Sequence, residues 1–280
     1  MSARPLLVQQ KTPLTERHVL GMAEMGYRGL SEQWLLRRAG DLHWRLIARA
    51  MGQTETLFTC AKGEPLYAAF RSTSLRMIRP EAPYLGGNLE LSGELYRSAQ
   101  GHLASRQTIT LDGEIIGGLT LASTFVGRSA DGSNRTIVRR SPKALAVPPD
   151  APVPVQRIVD RAAATARRML QDRHAWLEVN KGSEASKGEK ILPCPATDFN
   201  AAGLLYFPSY SALSDRALFQ AGETQTDFIA AREVSYVGNV EPGEIVTVTF
   251  KRTARGYVIG IFGVDDRPLA AMCIRTRAQS

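Results

Sequence analysis

From residue 31 to 52, SEQWLLRRAGDLHWRLIARAMG, apolar positions recur with helical spacing: Trp34, Leu35, Leu42, Leu46 and Ile47 gather on one face. Ser31 stands before the run as an N-cap, and Gly52 follows it as a stop. Gly40, inside the run, costs about 1 kcal/mol relative to Ala and points to a strand approaching closely there. Beyond Gly52 the period shortens. PLYAAFRSTSLRMI, NLELSGELYRS, LASRQTITLDG and EIIGGLTLASTFVGR carry β-branched and aromatic residues in partial alternation, broken by Gly, Asn and Asp. Asp112-Gly113 reads as a hairpin turn. The first half is thus one long helix followed by an antiparallel meander.

Residues 141–155 hold five prolines and read as a semi-rigid linker. A helical period follows in VQRIVDRAAATARRMLQDRHAWL, and then NKGSEASKGEK, polar and Gly/Ser-rich, reads as a mobile loop. The second half repeats the plan. A helix is expected within 208–220, then four strands in FIAAREVSYVG, EIVTVTFKRTA, GYVIGIFGVDD and PLAAMCIRTRA. Gly29-Leu30 falls on Gly203-Leu204 and Asp41 on Asp215, both 174 residues apart (203 − 29 and 215 − 41). One antiparallel sheet wrapped around a mostly apolar helix is the hot-dog arrangement, which leaves a sheet edge to be paired. Two tandem copies predict an α+β double hot-dog: a unit at 1–140, a linker at 141–155 and a second unit at 156–280.

The 280 residues suffice for two such units, and the balance of 44% hydrophobic and 22% charged residues is that of an ordinary globular chain. No apolar run has the length of a membrane span, and the N-terminus lacks the apolar core of a signal peptide, so a cytoplasmic location is expected. Cys60, Cys194 and Cys273 are too scattered for a disulfide framework or zinc knuckle. His18, His43, His102 and His174 lack metal-ligand spacing, so no metal is expected. The net charge of +8 suits an anionic partner. With 7% aromatic residues and basic positions scattered, no nucleic-acid signature emerges.

DFNAAGLLYFPSY resembles the loop of 4-hydroxybenzoyl-CoA thioesterases of the hot-dog type. Asp198, Gly203, Pro208 and Tyr210 match that pattern, but the family's catalytic carboxylate position holds Asn200. An amide is neither nucleophile nor general base. Backbone N–H groups near Phe207 and Ser209, at the start of the second helix, are expected to point at a bound carbonyl and steady an oxyanion or enolate. The other reading is a helix start that touches no ligand.

GLSEQWLLRRAGDLHWRLIARAMG and EPLYAAFRSTSLRM resemble the LnmK-like acyltransferase/decarboxylases of the leinamycin pathway, double hot-dogs of polyketide biosynthesis. That resemblance implies methylmalonyl-CoA or malonyl-CoA as substrate, loss of its carboxylate, and delivery of propionyl or acetyl to an acyl carrier protein. It implies no cofactor beyond the coenzyme A thioester itself. It also implies an acylated tyrosine, best matched by Tyr67; Tyr84, Tyr96 and Tyr206 match less well. A free phenol has a pKa of about 10 and needs positive charge nearby to attack a thioester. Arg71, four residues on along the strand, faces the same side. Tyr67 is otherwise an ordinary strand tyrosine.

His43, in GDLHW, is either packed and hydrogen-bonded or a pocket residue near the thioester. Trp44 reads as core, and Asp41 as solvent-facing or in a cap rather than a base. Decarboxylation leaves an enolate that the site must stabilise. A second carboxylate would repel the substrate's own, whereas the neutral amide of Asn200 would not. The catalytic set expected is therefore Tyr67, Asn200 and His43, with Arg71, Gly203, Phe207 and Ser209 binding substrate. The alternatives are a hot-dog acyl-CoA or acyl-ACP thioesterase, a dehydratase, and a non-catalytic acyl-thioester-binding module. No nucleic-acid or membrane partner is expected, and a homodimer is open.

Overall fold

The computed structural model describes residues 13–129, 131–177, 188–223 and 227–277. The first unit opens with an edge strand β1 (Leu14–Val19) and a small hairpin, β2 (Met25–Gly26) and β3 (Gly29–Leu30). Helix α1 (Glu32–Ala50) follows. Ser31 caps it by accepting from Trp34 N at 3.3 Å, and Gly52, at φ +73°, ends it in the left-handed conformation favoured beyond a helix C-terminus. Strands β4 (Phe58–Thr59), β5 (Pro65–Met77), β6 (Asn88–Arg97), β7 (Leu103–Leu111), β8 (Glu114–Arg128) and β9 (Ile137–Arg139) complete this unit. Asp112 and Gly113 take φ of 49° and 87°, as a tight hairpin between β7 and β8 requires.

Helices α2 (Val153–Gln171) and α3 (Arg173–Leu177) connect to the second unit. The stretch read as a linker is therefore helical over its last three residues. Pro154 sits in the first turn of α2, where a missing N–H breaks no helical hydrogen bond. Most of the stretch read as a mobile loop, 180–190, lies outside the described residues, and its last residues enter β10 (Glu189–Ile191). A short α4 (Pro195–Asp198) precedes α5 (Phe207–Gln220). Then come β11 (Phe228–Tyr236), β12 (Val246–Thr253), β13 (Gly256–Phe262) and β14 (Pro268–Arg277).

All the long strands belong to one sheet, ordered β1-β6-β7-β8-β5-β11-β14-β13-β12-β10. Each unit contributes five strands in the same internal order. They join where β5 and β11 pair antiparallel from Ser72↔Ser235 to Arg76↔Ala231. A bulge interrupts β5 at Arg71 and another interrupts β11 at Ala230. Each lies three residues from the Ser74↔Glu233 pair, so an approximate two-fold axis passes through that pair. The axis relates α1 to α5, and both helices are preceded by a glycine at positive φ, Gly29 (+84°) and Gly203 (+71°).

The core is continuous across the units. Leu42, Leu46 and Ile47 of α1 and Leu213, Ala217 and Leu218 of α5 are fully buried in one apolar cluster with the strands. At about 25 cal/mol per Å² of apolar surface, this burial is the main force holding the units together. Gly40 is the close-approach point, with the other helix nearest and strand β5 next, through Phe70 at 3.6 Å. A methyl group there would sit 2.7 Å from the ring of Phe207.

Candidate functional site

β11 covers β5 only from residue 72 onward, and β4 pairs only with Pro65 and Leu66. Between them one edge of β5 borders a cavity of about 1070 Å³ at the junction of the units. Arg37 and Trp44 of α1, the 196–207 segment before and into α5, and the end of β11 form its other walls. Trp44, expected in the core, lines this cavity and anchors β5 by donating from Nε1 to Ala68 O at 3.0 Å. Tyr206 stacks on Trp44 with ring centroids 6.3 Å apart, and Arg37 lies over the Tyr206 ring.

Tyr67, Arg71, Asn200 and Phe207 all line this cavity. Asn200 is tied into its loop: Oδ1 accepts from Ala202 N at 3.0 Å and Leu204 N at 3.1 Å. Those bonds orient the amide so that Nδ2 is the group left for a ligand. The loop is held from the first unit, because Arg128 donates to Ala202 O and Asn134 Nδ2 donates to Gly203 O at 2.7 Å. Sequence reading missed this clamp, since nothing local links 128–134 to 202–203.

The other expected residues serve the frame. Gly203 turns the chain at positive φ and does not line the cavity. Ser209 is buried; its N–H donates to Tyr206 O and its hydroxyl to Asp198 O, both at 2.8 Å. With the Ser209 N–H engaged and Pro208 lacking one, the expected pair of helix-start donors reduces to the N–H of Phe207. Asp198 is buried too, accepting from Cys194 N and pairing with Arg216 at 2.8 Å.

His43 lies behind the cavity wall rather than in it. It is 0% exposed, with each ring nitrogen 2.8 Å from a serine hydroxyl, Ser105 or Ser123. Burial lowers its pKa to about 3, so it is a neutral core imidazole packed under Phe70. Asp41 pairs with Arg45 on the helix surface. Tyr84 and Tyr96 lie outside the cavity and bond Asp112 and Glu94.

Arg139 also lines the cavity, and only the register reveals why. Tyr67 pairs with Val126 across β5 and β8, and Val126 pairs with Arg139 across β8 and β9. Directly paired residues share a sheet face, so Tyr67, Val126 and Arg139 form one row. The ionisable groups among the described lining residues are all phenols or guanidiniums: Tyr67, Tyr206, Tyr210 and Tyr236 with Arg37, Arg71, Arg135 and Arg139. Burial raises the pKa of Tyr206, Tyr210 and Tyr236, which keeps these three protonated. Among the described residues no cluster of three or more His, Cys, Asp or Glu side chains is placed to hold a metal ion.

No family model matches the chain, and no curated protein matches it. Solved structures do. The 12:0-ACP thioesterase from Umbellularia californica is 11% identical, with a TM-score of 0.63 over 100% of both chains. An acyl-ACP thioesterase from Bacteroides thetaiotaomicron is 10% identical, with a TM-score of 0.63 over 95% of this chain and 98% of that one. At such identities the likeness is one of fold, and it runs through both units. Two helix-and-sheet units sharing one continuous sheet across an approximate two-fold axis make this chain a double hot-dog.

Proposed function

We propose that the inter-unit cavity binds an acyl thioester and that the protein is an acyltransferase/decarboxylase. In this reading it takes malonyl-CoA or methylmalonyl-CoA, releases CO₂, and passes acetyl or propionyl to an acyl carrier protein. The observation that carries the reading is the lining. Phenols and guanidiniums are its only ionisable side chains among the described residues, with no carboxylate, imidazole or thiol. Hydrolysis by the usual routes needs a carboxylate, imidazole or thiol to activate water or attack the carbonyl. Decarboxylation needs chiefly a place for the enolate's charge.

The steps balance with one proton taken from solvent. The Tyr67 oxygen attacks the thioester carbonyl, the C–S bond breaks, and the phenol's proton leaves with the coenzyme A thiol. The bond from Cα to the carboxylate breaks, CO₂ departs, and the electron pair of that bond becomes the enolate, which takes a proton from solvent at Cα. The carrier-protein thiol then attacks the tyrosyl ester and restores the phenol. Asn200 Nδ2 and the Phe207 N–H, neither with a partner among the described residues, are the donors for the enolate oxygen. Asn200 brings no charge to repel the departing carboxylate.

Intact-protein mass spectrometry after incubation with methylmalonyl-CoA tests this reading. A propionyl or methylmalonyl mass gain is expected in wild type and none in Tyr67→Phe. Equal gains in both, or no gain in either, would overturn it. A second reading, an acyl-ACP or acyl-CoA thioesterase, is favoured by the whole-length likeness to the two thioesterases. It predicts free acid and coenzyme A without any acceptor. A dehydratase would need a histidine and a carboxylate together, and the described lining residues include neither.

A further inference from the structure

The cavity's formal charges are of one sign. Two of its four arginines are engaged: Arg135 pairs with Glu244, and Arg37 reaches Thr197 O and the Tyr206 ring. Arg71 and Arg139 pair with no carboxylate among the described residues. Arg71 is half-buried at the β5 bulge, a feature that re-aims side chains beside functional sites. Arg139 reaches the same face from β9, two strands across from Tyr67 and four residues along from Arg71, so roughly 16 Å separates the two backbone positions at the usual strand spacing and rise, a gap that two long side chains can close on one anion. Its Nη2 donates to His102 Nε2 at 3.3 Å, so that nitrogen is an acceptor and the imidazole is neutral.

Two guanidiniums facing one another without an anion repel. Burial and Arg139 both lower the Arg71 pKa, and burial, Arg139 and Arg71 lower that of His102. A bound anion would convert this repulsion into affinity, and guanidiniums match the planar geometry of carboxylate and phosphate.

We propose that Arg71 and Arg139 form a clamp for one oxyanion of the thioester substrate, either a free carboxylate on the acyl group or a phosphate on its thiol arm. The proposal rests on the reading that this cavity binds an acyl thioester. Tyr67 stands in register with Arg139, so the clamp lies beside the residue proposed to take the acyl group, which favours the carboxylate.

Dissociation constants for four ligands separate the sources: methylmalonyl-N-acetylcysteamine (carboxylate only), propionyl-CoA (phosphates only), methylmalonyl-CoA (both) and propionyl-N-acetylcysteamine (neither). A Tyr67→Phe background prevents acyl transfer to that residue. Adding Arg71→Gln or Arg139→Gln is expected to weaken methylmalonyl-N-acetylcysteamine about tenfold or more, the usual scale for a charge-assisted hydrogen bond. The uncharged ligand should change less than twofold. Arg106→Gln, on the exposed part of β7, controls for net charge and should change nothing. Loss on the two coenzyme A esters, with methylmalonyl-N-acetylcysteamine unchanged, assigns the clamp to phosphate. Equal losses on all four ligands, or none on any, would overturn the clamp while leaving thioester binding intact. No binding of any thioester in this background, with methylmalonyl-CoA also leaving wild type unbound and unmodified, would instead remove the reading beneath it.

Discussion

The two-fold axis gives this chain two places for a ligand, and only one is open. At the start of α5, Tyr206 and Phe207 face the free edge of β5 across about 1070 Å³. At the start of α1, Leu30 and Glu32 face Phe228 and Ile229 of β11 across about 140 Å³. The difference lies in what fills the second place. Arg232, its side chain 1% exposed, reaches Glu32 at 2.9 Å, Asp215 at 2.7 Å and Ser214 at 2.7 Å. By the 174-residue offset, Ser214 corresponds to Gly40, the residue whose missing side chain admits Phe207. One groove is closed by a buried ion cluster, and the other is walled by aromatic rings. Repeating a fold repeats the backbone, while the side chains decide which copy keeps a cavity.

Breaking the cluster should have the largest effect on stability. Burial pushes the Glu32 carboxyl pKa up against the pull of Arg232. For Arg232 the attraction of Asp215 and Glu32 outweighs desolvation and raises its pKa. Arg232→Met leaves two carboxylates with no cation, one of them buried, and should cost about 3–5 kcal/mol, read as a lower urea midpoint. Glu32→Leu/Asp215→Leu/Arg232→Met, which removes all three charges, should recover most of that loss. If the single variant is as stable as wild type, the cluster does not hold the closed groove.

The frame of both grooves was legible in the sequence because it rests on periodicity. The helix caps at Ser31 and Gly52, the eight long strands and the Asp112-Gly113 turn each leave a local signature. The repeat was legible through Gly29 and Gly203, since both need positive φ. The pairing that builds the site was not. Tyr67 and Arg139 are 72 residues apart and meet only through Val126, and a three-residue strand such as β9 is too short to show a period. His43 illustrates the opposite error. Its chemistry suggested a site, but Ser105 and Ser123, far along the chain, make it a satisfied core group.

That histidine distinguishes the units by pH. Its counterpart by the same offset is Ala217, buried without a polar group. Because the folded pKa of His43, about 3, lies below the unfolded value near 6.5, the unfolded chain binds the extra proton first. Its contribution to stability is complete above pH 6.5 and is lost as pH falls toward 3, at about 1.4 kcal/mol per pH unit. By pH 4.5 the loss should be roughly 2–3 kcal/mol. His43→Gln lowers stability at neutral pH, yet its stability should fall less steeply than wild type between pH 6 and 4. Parallel pH profiles would show that His43 is not the group titrating.

The smallest effect tests the open groove itself. In Gly40→Ala the new methyl meets Phe207, whose ring is already 4.2 Å from that of Phe70, centroid to centroid. Overpacking costs about 1–3 kcal/mol, while the helix gains about 1 kcal/mol from replacing glycine. The net loss expected is about 1 kcal/mol. Phe207→Leu removes part of the ring, so in that background only the helix gain should remain and Gly40→Ala should stabilise. The two differ by a coupling of about 1–3 kcal/mol, within the range seen for touching side chains. If the alanine has the same effect with Phe207 and with Leu at that position, the contact is not what keeps residue 40 small, and the contrast between Gly40 and Ser214 loses its physical basis.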